Sequence, residues 1–321
     1  MGTHSAAVGV HAGQLSAGAP THRPFFRSIT LRLVSFLENG QPRLAALTQD
    51  GITRLDNCLP DAAHSLLALL RQGPQAIGDL SQALARGKMA VDGSLSLETM
   101  TLLPLIPNPG KIICLGLNYA DHAAESGHER PAYPSVFLRS ATSLVGHGQP
   151  MMLPACSTQF DYEAELAVII GQRCKRVNVA DAAQVIAGYS AFNDGSIRDY
   201  QRKTAQWTVG KNFDQTGAFG PVFVSADELP PFARGLRIQA RLNGAVMQDA
   251  NTRDMLFPVD EAIAVLSECM TLEPGDVIVT GTPAGVGAAR KPPVWMKAGD
   301  SIEVEIEHIG VLRNEVRAGR S

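Results

Sequence analysis

From Ser28 onward the chain alternates. Leu31, Leu33 and Ser35 fall on one face of an extended segment, Arg32, Val34 and Phe36 on the other, and the turn ENGQ follows. PRLAAL (42–47) and GITRL (51–55) read as the next short strands, with a turn at Gln49, Asp50 and Gly51 between them. The pattern then lengthens to a helical period in DAAHSLLALLRQG, where Asp61 stands as the N-cap and Gly73 as the end. A second helix over about 75–86 ends near Gly87. Residues 28–103 therefore read as a small α+β unit. PLIPNPG (104–110) packs three prolines and a glycine into seven residues, and the domain boundary is placed there.

Beyond that boundary short apolar runs recur between Gly/Pro turns: KIICLGLNY, PSVFLRS, EAELAVIIG, PVFVS, LRIQARLNG, DVIVTGTPAGVG and SIEVEIEHIG. Helical periodicity is confined to about 120–126, 180–187, 196–204 and 258–270. The expected class is α+β and β-rich, without the regular alternation of a βαβ array. Residues 1–27 are rich in Gly, Ala, Ser and His and match a transit peptide only weakly. They carry no contiguous apolar run after a basic start, so they read as a poorly ordered tail.

One run breaks its own pattern. FDYEAELAVIIG (160–171) begins with two glutamates and continues with residues that are apolar on both faces. Side chains two apart in a strand share a face, so Glu163 and Glu165 lie together and Tyr162, Ala164 and Leu166 lie opposite. Taken alone, the pair fits an exposed edge with two solvated glutamates. The AVII segment points instead to an interior strand, where unpaired charge is costly and two like charges repel unless a cation sits between them. Asp194, in AFNDGSIRDY, reads either as a cap for the helix that follows or as a third carboxylate. Three oxygen donors suit Mg²⁺, Mn²⁺ or Ca²⁺ better than zinc. The histidines give no competing zinc site, since His4, His11 and His22 lie in the tail and His64 in the small unit.

Composition narrows the partners. The chain has 321 residues, 45% hydrophobic and 18% charged, with a net charge of -3. That balance gives no electrostatic reason to expect nucleic acid or an anionic membrane surface. No run reaches the roughly 18 consecutive apolar residues of a membrane span. The five cysteines (Cys58, Cys114, Cys156, Cys174 and Cys269) are scattered and odd in number, which fits a reducing, cytoplasmic setting better than a disulfide framework.

Other motifs carry two readings each. His122 and Glu125 in NYADHAAESG are three apart, so on a helical turn they share a face. They form either an ordinary exposed pair or a carboxylate-oriented base for water. Lys211 in TVGKNFDQTG is either a solvated lysine or an anion contact. TGTPAGVG (280–287) lacks the lysine of a phosphate loop and no clear βαβ unit surrounds it, so it reads as a turn offering backbone N–H groups to an anionic oxygen.

Six segments in order resemble the fumarylacetoacetate hydrolase family: KIICLGLNYADHAAE, SLVGHGQPMMLP, FDYEAELAVIIG, AFNDGSIRDYQ, VGKNFD and GDVIVTGTPAGVG. The likeness is to its bacterial acylpyruvate hydrolase and hydroxymuconate isomerase branch, over about residues 104–318. It implies a roll-like mixed β catalytic domain over 104–321, preceded by the small N-terminal domain, usually in a homodimer. It further implies Mg²⁺ or Mn²⁺ held by Glu163, Glu165 and Asp194, with a small 2-oxo or diketo acid as substrate. His122 and Glu125 match a dyad carried on a mobile lid, Lys211 a contact to a substrate carboxylate or oxyanion, and Thr282 a neighbour of the substrate carboxylate. Asp121 matches an additional metal-site carboxylate of some members. Two departures bear on substrate choice. Leu117 stands where many members have arginine, and Arg139, which can grip a carboxylate through two N–H groups, stands where lysine is common.

The expected activity is metal-dependent hydrolysis of a C–C bond in acylpyruvate or fumarylpyruvate-type β-diketo acids, in catabolism of aromatic or related compounds. The alternatives are isomerisation or decarboxylation of hydroxymuconate-type or oxaloacetate-type 2-oxo acids, and, in another class, a non-catalytic metal-binding protein.

Overall fold

A computed structural model describes residues 1–2, 31–55, 64–86, 91–125, 129 and 131–319. Residues 3–27 of the expected tail, the Asp61 cap and the helix end at Gly87 lie outside the described residues.

The N-terminal alternation forms strands β1 (Arg32–Glu38), β2 (Gln41–Thr48) and β3 (Gly51–Arg54). Two helices follow, α1 (Leu66–Arg71) and α2 (Pro74–Ala85). The cap of α1 is Ser65, whose side chain accepts from the Ala68 N–H at 3.1 Å. Next come β4 (Ile112–Gly116), α3 (Ala120–Glu125), β5 (Ser135–Arg139), β6 (Met151–Leu153), β7 (Ala164–Ile170) and β8 (Ile186–Asp194). The chain continues through α4 (Arg198–Gln201), α5 (Thr208–Lys211), β9 (Gly217–Ser225), β10 (Arg237–Leu242), β11 (Ala245–Asn251) and α6 (Val259–Cys269). It closes with β12 (Val277–Val279), β13 (Ser301–Ile306) and β14 (Gly310–Ala318).

A large mixed sheet runs β3-β2-β1-β9-β8-β7-β12-β4-β5, and a second runs β11-β10-β13-β14-β6. The fold is α+β and β-rich, as the spacing of the apolar runs implies. The N-terminal strands are continuous with the large sheet, since β1 pairs with β9 through Arg32↔Val224 and Leu33↔Phe223.

Strand β7 explains its composition. It lies between β8 and β12, and all seven of its residues are buried. Leu166, Val168 and Ile170 join the core that includes Val304 and Ile306 of the second sheet. Ala167 and Ile169 join the core that includes Leu66, Leu69 and Leu70 of α1. Each such fully buried leucine contributes about 1.5–3 kcal/mol, so both faces of β7 must be apolar where they are covered.

Two predicted helices are largely something else. Residues 179–185 form a 3-10 turn that leads into β8 at Ile186, where the alternating IAGYSAF segment fits a strand covered on both faces. Over 196–204 only α4 is α-helical. Ser196–Ile197 instead pair with Phe160–Asp161. Asp194 ends β8 and caps no helix.

Candidate active site

The site forms where strand ends of opposite direction meet. Strand β8 is antiparallel to β7, with Ala164 opposite Asn193, so the end of β8 lies beside the start of β7. The Asp194 N–H donates to the Glu163 carbonyl at 2.9 Å, which seats the two residues side by side. Strand β12 is also antiparallel to β7, so the chain leaving it places Gly281 at Glu165, whose Oε2 accepts from the Gly281 N–H at 2.5 Å. One carboxylate oxygen from each of Glu163, Glu165 and Asp194 lies within 4.8 Å of the others, and all three residues are buried.

A frame of buried cations surrounds them. Arg198 donates from Nη2 to Glu163 Oε1 at 2.6 Å, from Nε to Asp161 at 2.8 Å and from Nη1 to Gln201 at 2.9 Å. The Lys211 ammonium donates to both Glu163 and Asp194, the latter at 2.5 Å, and lies over the Phe137 ring at 4.9 Å. Arg139 donates to Asp194 Oδ1 at 2.5 Å.

This frame divides the two glutamates. Burial raises the proton affinity of Glu163, yet the charges of Arg198 and Lys211 outweigh it and hold that carboxyl well below the usual range. Burial, with Asp194 and Glu163 nearby, pushes Glu165 well above it. Burial opposes the charge on Lys211, but Asp194 and Glu163 raise its pKa above the ordinary lysine value. Among the described residues Glu165 has no ion pair, and the buried carboxylates Asp161, Glu163, Glu165 and Asp194 face the three cations Arg139, Arg198 and Lys211. Glu165 is thus the one of these four carboxyl groups left without a cationic partner. That imbalance, on a donor set of carboxylate oxygens alone, fits a hard divalent cation.

The trio opens into a cavity of about 400 Å³, which His122, Glu125, Lys211 and Thr282 also line. Helix α3 follows β4, which runs parallel to β12, and so it arrives at the same end of the sheet. His122 Nδ1 is 2.9 Å from Glu125 Oε1, and both Glu125 oxygens accept from the Gly285 N–H at 3.0 Å. The hydroxyl of Thr282 donates to the Ala164 carbonyl at 3.0 Å and accepts from Gln248 at 2.8 Å, so its proton is already engaged.

Two expectations need correction. Arg139 does not line the cavity. Its guanidinium is fully buried on Asp194, the Gly195 carbonyl, Ser143 and Thr216, so it positions Asp194 and is not available as a substrate clamp. The glycine-rich turn does offer N–H groups to anionic oxygens, but the recipients are the protein's own carboxylates: Glu165 from Gly281, Glu125 from Gly285, and Asp161 from Gly287 and Ala288. Asp121 stands apart, exposed, in a separate depression with Asp249 and Asp254.

Sequence reasoning passed over Asp161, Arg198, Gln201 and Trp207. The first had a legible signal, because Asp161, Glu163 and Glu165 recur every second residue. Arg198 and Gln201 are three apart on one helical turn, which also pointed to a shared face. Trp207 had none.

Residues 111–317 match the family model described as fumarylacetoacetate (FAA) hydrolase C-terminal. The chain belongs to the fumarylacetoacetate hydrolase family. It is 38% identical over 299 residues to the mitochondrial oxaloacetate tautomerase of Bos taurus, covering 91% of this chain and 94% of that one. The fumarylacetoacetate hydrolase of Exiguobacterium antarcticum has a similar structure, with a TM-score of 0.75 and 33% identity, covering 90% of this chain and all of that one. So has the maleylpyruvate hydrolase of Sphingobium sp. SYK-6, solved with manganese(II) and pyruvate. Its TM-score is 0.74 at 29% identity, again over 90% of this chain and all of that one. Within the family, then, similar proteins are named both as a tautomerase and as hydrolases. No helix among the described residues is long and apolar enough to cross a membrane.

Proposed function

We propose that this protein is a divalent-metal-dependent enzyme that moves a proton at the carbon next to the carbonyl of a small 2-oxo acid of the oxaloacetate type, interconverting its keto and enol forms. The observation that carries this reading is one cavity holding both a carboxylate-oriented imidazole, His122 on Glu125, and the trio Glu163, Glu165 and Asp194. The likeness to oxaloacetate tautomerases over nine-tenths of the chain supports the choice of substrate type.

Glu163, Glu165 and Asp194 would hold Mg²⁺ or Mn²⁺, which when bound acts as a Lewis acid toward the carbonyl and carboxylate oxygens of the substrate. Glu125 binds His122 at Nδ1 and so leaves Nε2 as the nitrogen that takes the proton from C3. An ammonium has three N–H donors, and Lys211 uses two on Glu163 and Asp194. The third donates to the C2 oxygen as negative charge develops there; transfer of that proton to the oxygen completes the enol, and the proton taken up by His122 returns to Lys211 through solvent. Gln201 accepts from Arg198 through its carbonyl, which leaves its amide N–H groups for a substrate oxygen.

A second reading is supported by the similar fold of maleylpyruvate hydrolase. There the same His122 deprotonates water instead of carbon, and the water attacks the distal carbonyl of an acylpyruvate. A purely metal-binding role leaves the His122–Glu125 pair in the cavity without a task. The chain working as a homodimer in a reducing, cytoplasmic setting completes the proposal, and four free cysteines among the described residues accord with such a setting.

Incubation of oxaloacetate, acylpyruvates and hydroxymuconate-type diacids with Mg²⁺, Mn²⁺ or chelator, with products identified by NMR, tests this. The expected outcome is metal-dependent keto–enol interconversion of oxaloacetate without chain cleavage. Cleavage of an acylpyruvate alone selects hydrolysis. Activity untouched by chelator removes the metal from the mechanism.

A further inference from the structure

Three lysine or arginine side chains line the cavity: Arg198, Arg202 and Lys211. Two of them are occupied within the protein, Arg198 on Asp161, Glu163 and Gln201 and Lys211 on Glu163 and Asp194. Arg202 differs. It follows Gln201 directly, as the residue that ends α4, and its backbone N–H is tied to the carbonyls of Arg198 and Tyr200. Its guanidinium makes no hydrogen bond or ion pair among the described residues. The next residue, Lys203, is turned onto the Tyr200 ring at 3.3 Å and does not line the cavity.

Leu117, Phe137 and Trp207 give the cavity apolar lining, and Thr204 lines it between Arg202 and Trp207 in the chain. Trp207 meets Phe137 edge-on with ring centroids 5.7 Å apart. A ligand carboxylate placed among these side chains loses water and needs a charged donor in return. The inner cations already answer the protein's own carboxylates. We infer that Arg202 binds a second, distal carboxylate of the substrate, and so selects 2-oxo dicarboxylates over 2-oxo acids with an apolar tail.

This inference rests on the proposed 2-oxo acid chemistry for the head group, and the guanidinium acts on the opposite end of the same ligand. An Arg–carboxylate contact of this kind changes affinity by about 10- to 100-fold.

The decisive pair of probes is malate and 2-hydroxybutyrate, which differ only in carrying a carboxylate or a methyl group at the far end. Their dissociation constants are measured by calorimetry with the full chain and Mg²⁺, for wild type, Arg202→Gln and Arg202→Lys. Because Arg202 is exposed, the variants should keep the wild-type melting temperature. Wild type should prefer malate by at least about tenfold, Arg202→Gln should lose that preference by weakening malate alone, and Arg202→Lys should recover part of it. Equal preference in wild type and Arg202→Gln overturns the inference. So does an equal loss for both probes.

Turnover is a separate arm. If wild type transforms no 2-oxo acid while the malate preference still depends on Arg202, the proposed reaction fails and the carboxylate site stands. If oxaloacetate is transformed, Arg202→Gln should raise its KM by about 10- to 100-fold and change kcat less than about threefold. An unchanged KM overturns the assignment.

Discussion

Asp161 accepts a 2.8 Å hydrogen bond from Nε of Arg198, and both side chains are buried. The same carboxylate accepts from the N–H groups of Gly287 at 2.7 Å and Ala288 at 2.9 Å. It therefore couples the glycine-rich turn to the arginine that holds Glu163. Asp161→Asn replaces an acceptor oxygen with a donor that must face either Arg198 or the turn. Breaking one partner of a buried ion pair costs about 3–5 kcal/mol, and urea denaturation should show a loss of that order. A loss under about 1 kcal/mol would mean the turn and Arg198 hold their places without it.

His122→Ala should lower kcat by about 10²- to 10⁴-fold and suppress enzyme-dependent deuterium exchange at C3 of the substrate, read by NMR. Glu125→Gln should lower kcat less, since the amide carbonyl still accepts from Gly285. Exchange at the wild-type rate in His122→Ala would assign the base to another residue.

Glu165 makes a signed prediction for the chain in chelator. Its folded pKa is raised by burial and by Asp194 and Glu163, so its contribution to stability is present below about pH 4.5 and lost as pH rises through the raised value. Glu163 is depressed, so its contribution is present above about pH 4.5 and lost as pH falls. Glu165→Gln removes only the first. As pH rises above about 4.5 the wild type should lose stability relative to Glu165→Gln, as measured by urea denaturation. Parallel pH profiles would contradict the assignment. Adding Mg²⁺ should raise the wild-type melting temperature and leave that of Glu165→Gln nearly unchanged.

Gly116 sits against the cavity wall. A Cβ there would lie 2.2 Å from Cζ3 and 2.8 Å from Cη2 of Trp207, so Gly116→Ala must displace the indole. Overpacking of this kind costs about 1–3 kcal/mol. The expected signature is a raised KM with a smaller change in kcat, together with an altered tryptophan emission spectrum. An unchanged KM would show that Trp207 does not shape substrate binding.

By itself the sequence determined the β-rich class, the shared face of Glu163 and Glu165 and the His122–Glu125 spacing. These are local or periodic properties: residues two apart in a strand and three apart on a helical turn share a face whatever surrounds them. The motif order carried the family as well. What only the tertiary structure decided was the partner of each charge. Antiparallel pairing of β7 with β8 and β12 brings Asp194 and Gly281 to Glu163 and Glu165 across separations of 31 and 116 residues. Arg139 is missing from the lining of the active-site cavity because its guanidinium is closed in by Asp194, Gly195, Ser143 and Thr216, and Arg202 remains available because nothing comparable reaches it among the described residues. Periodicity along the chain records which side chains share a face. Which charges neutralise one another is set by contacts between segments far apart in the chain.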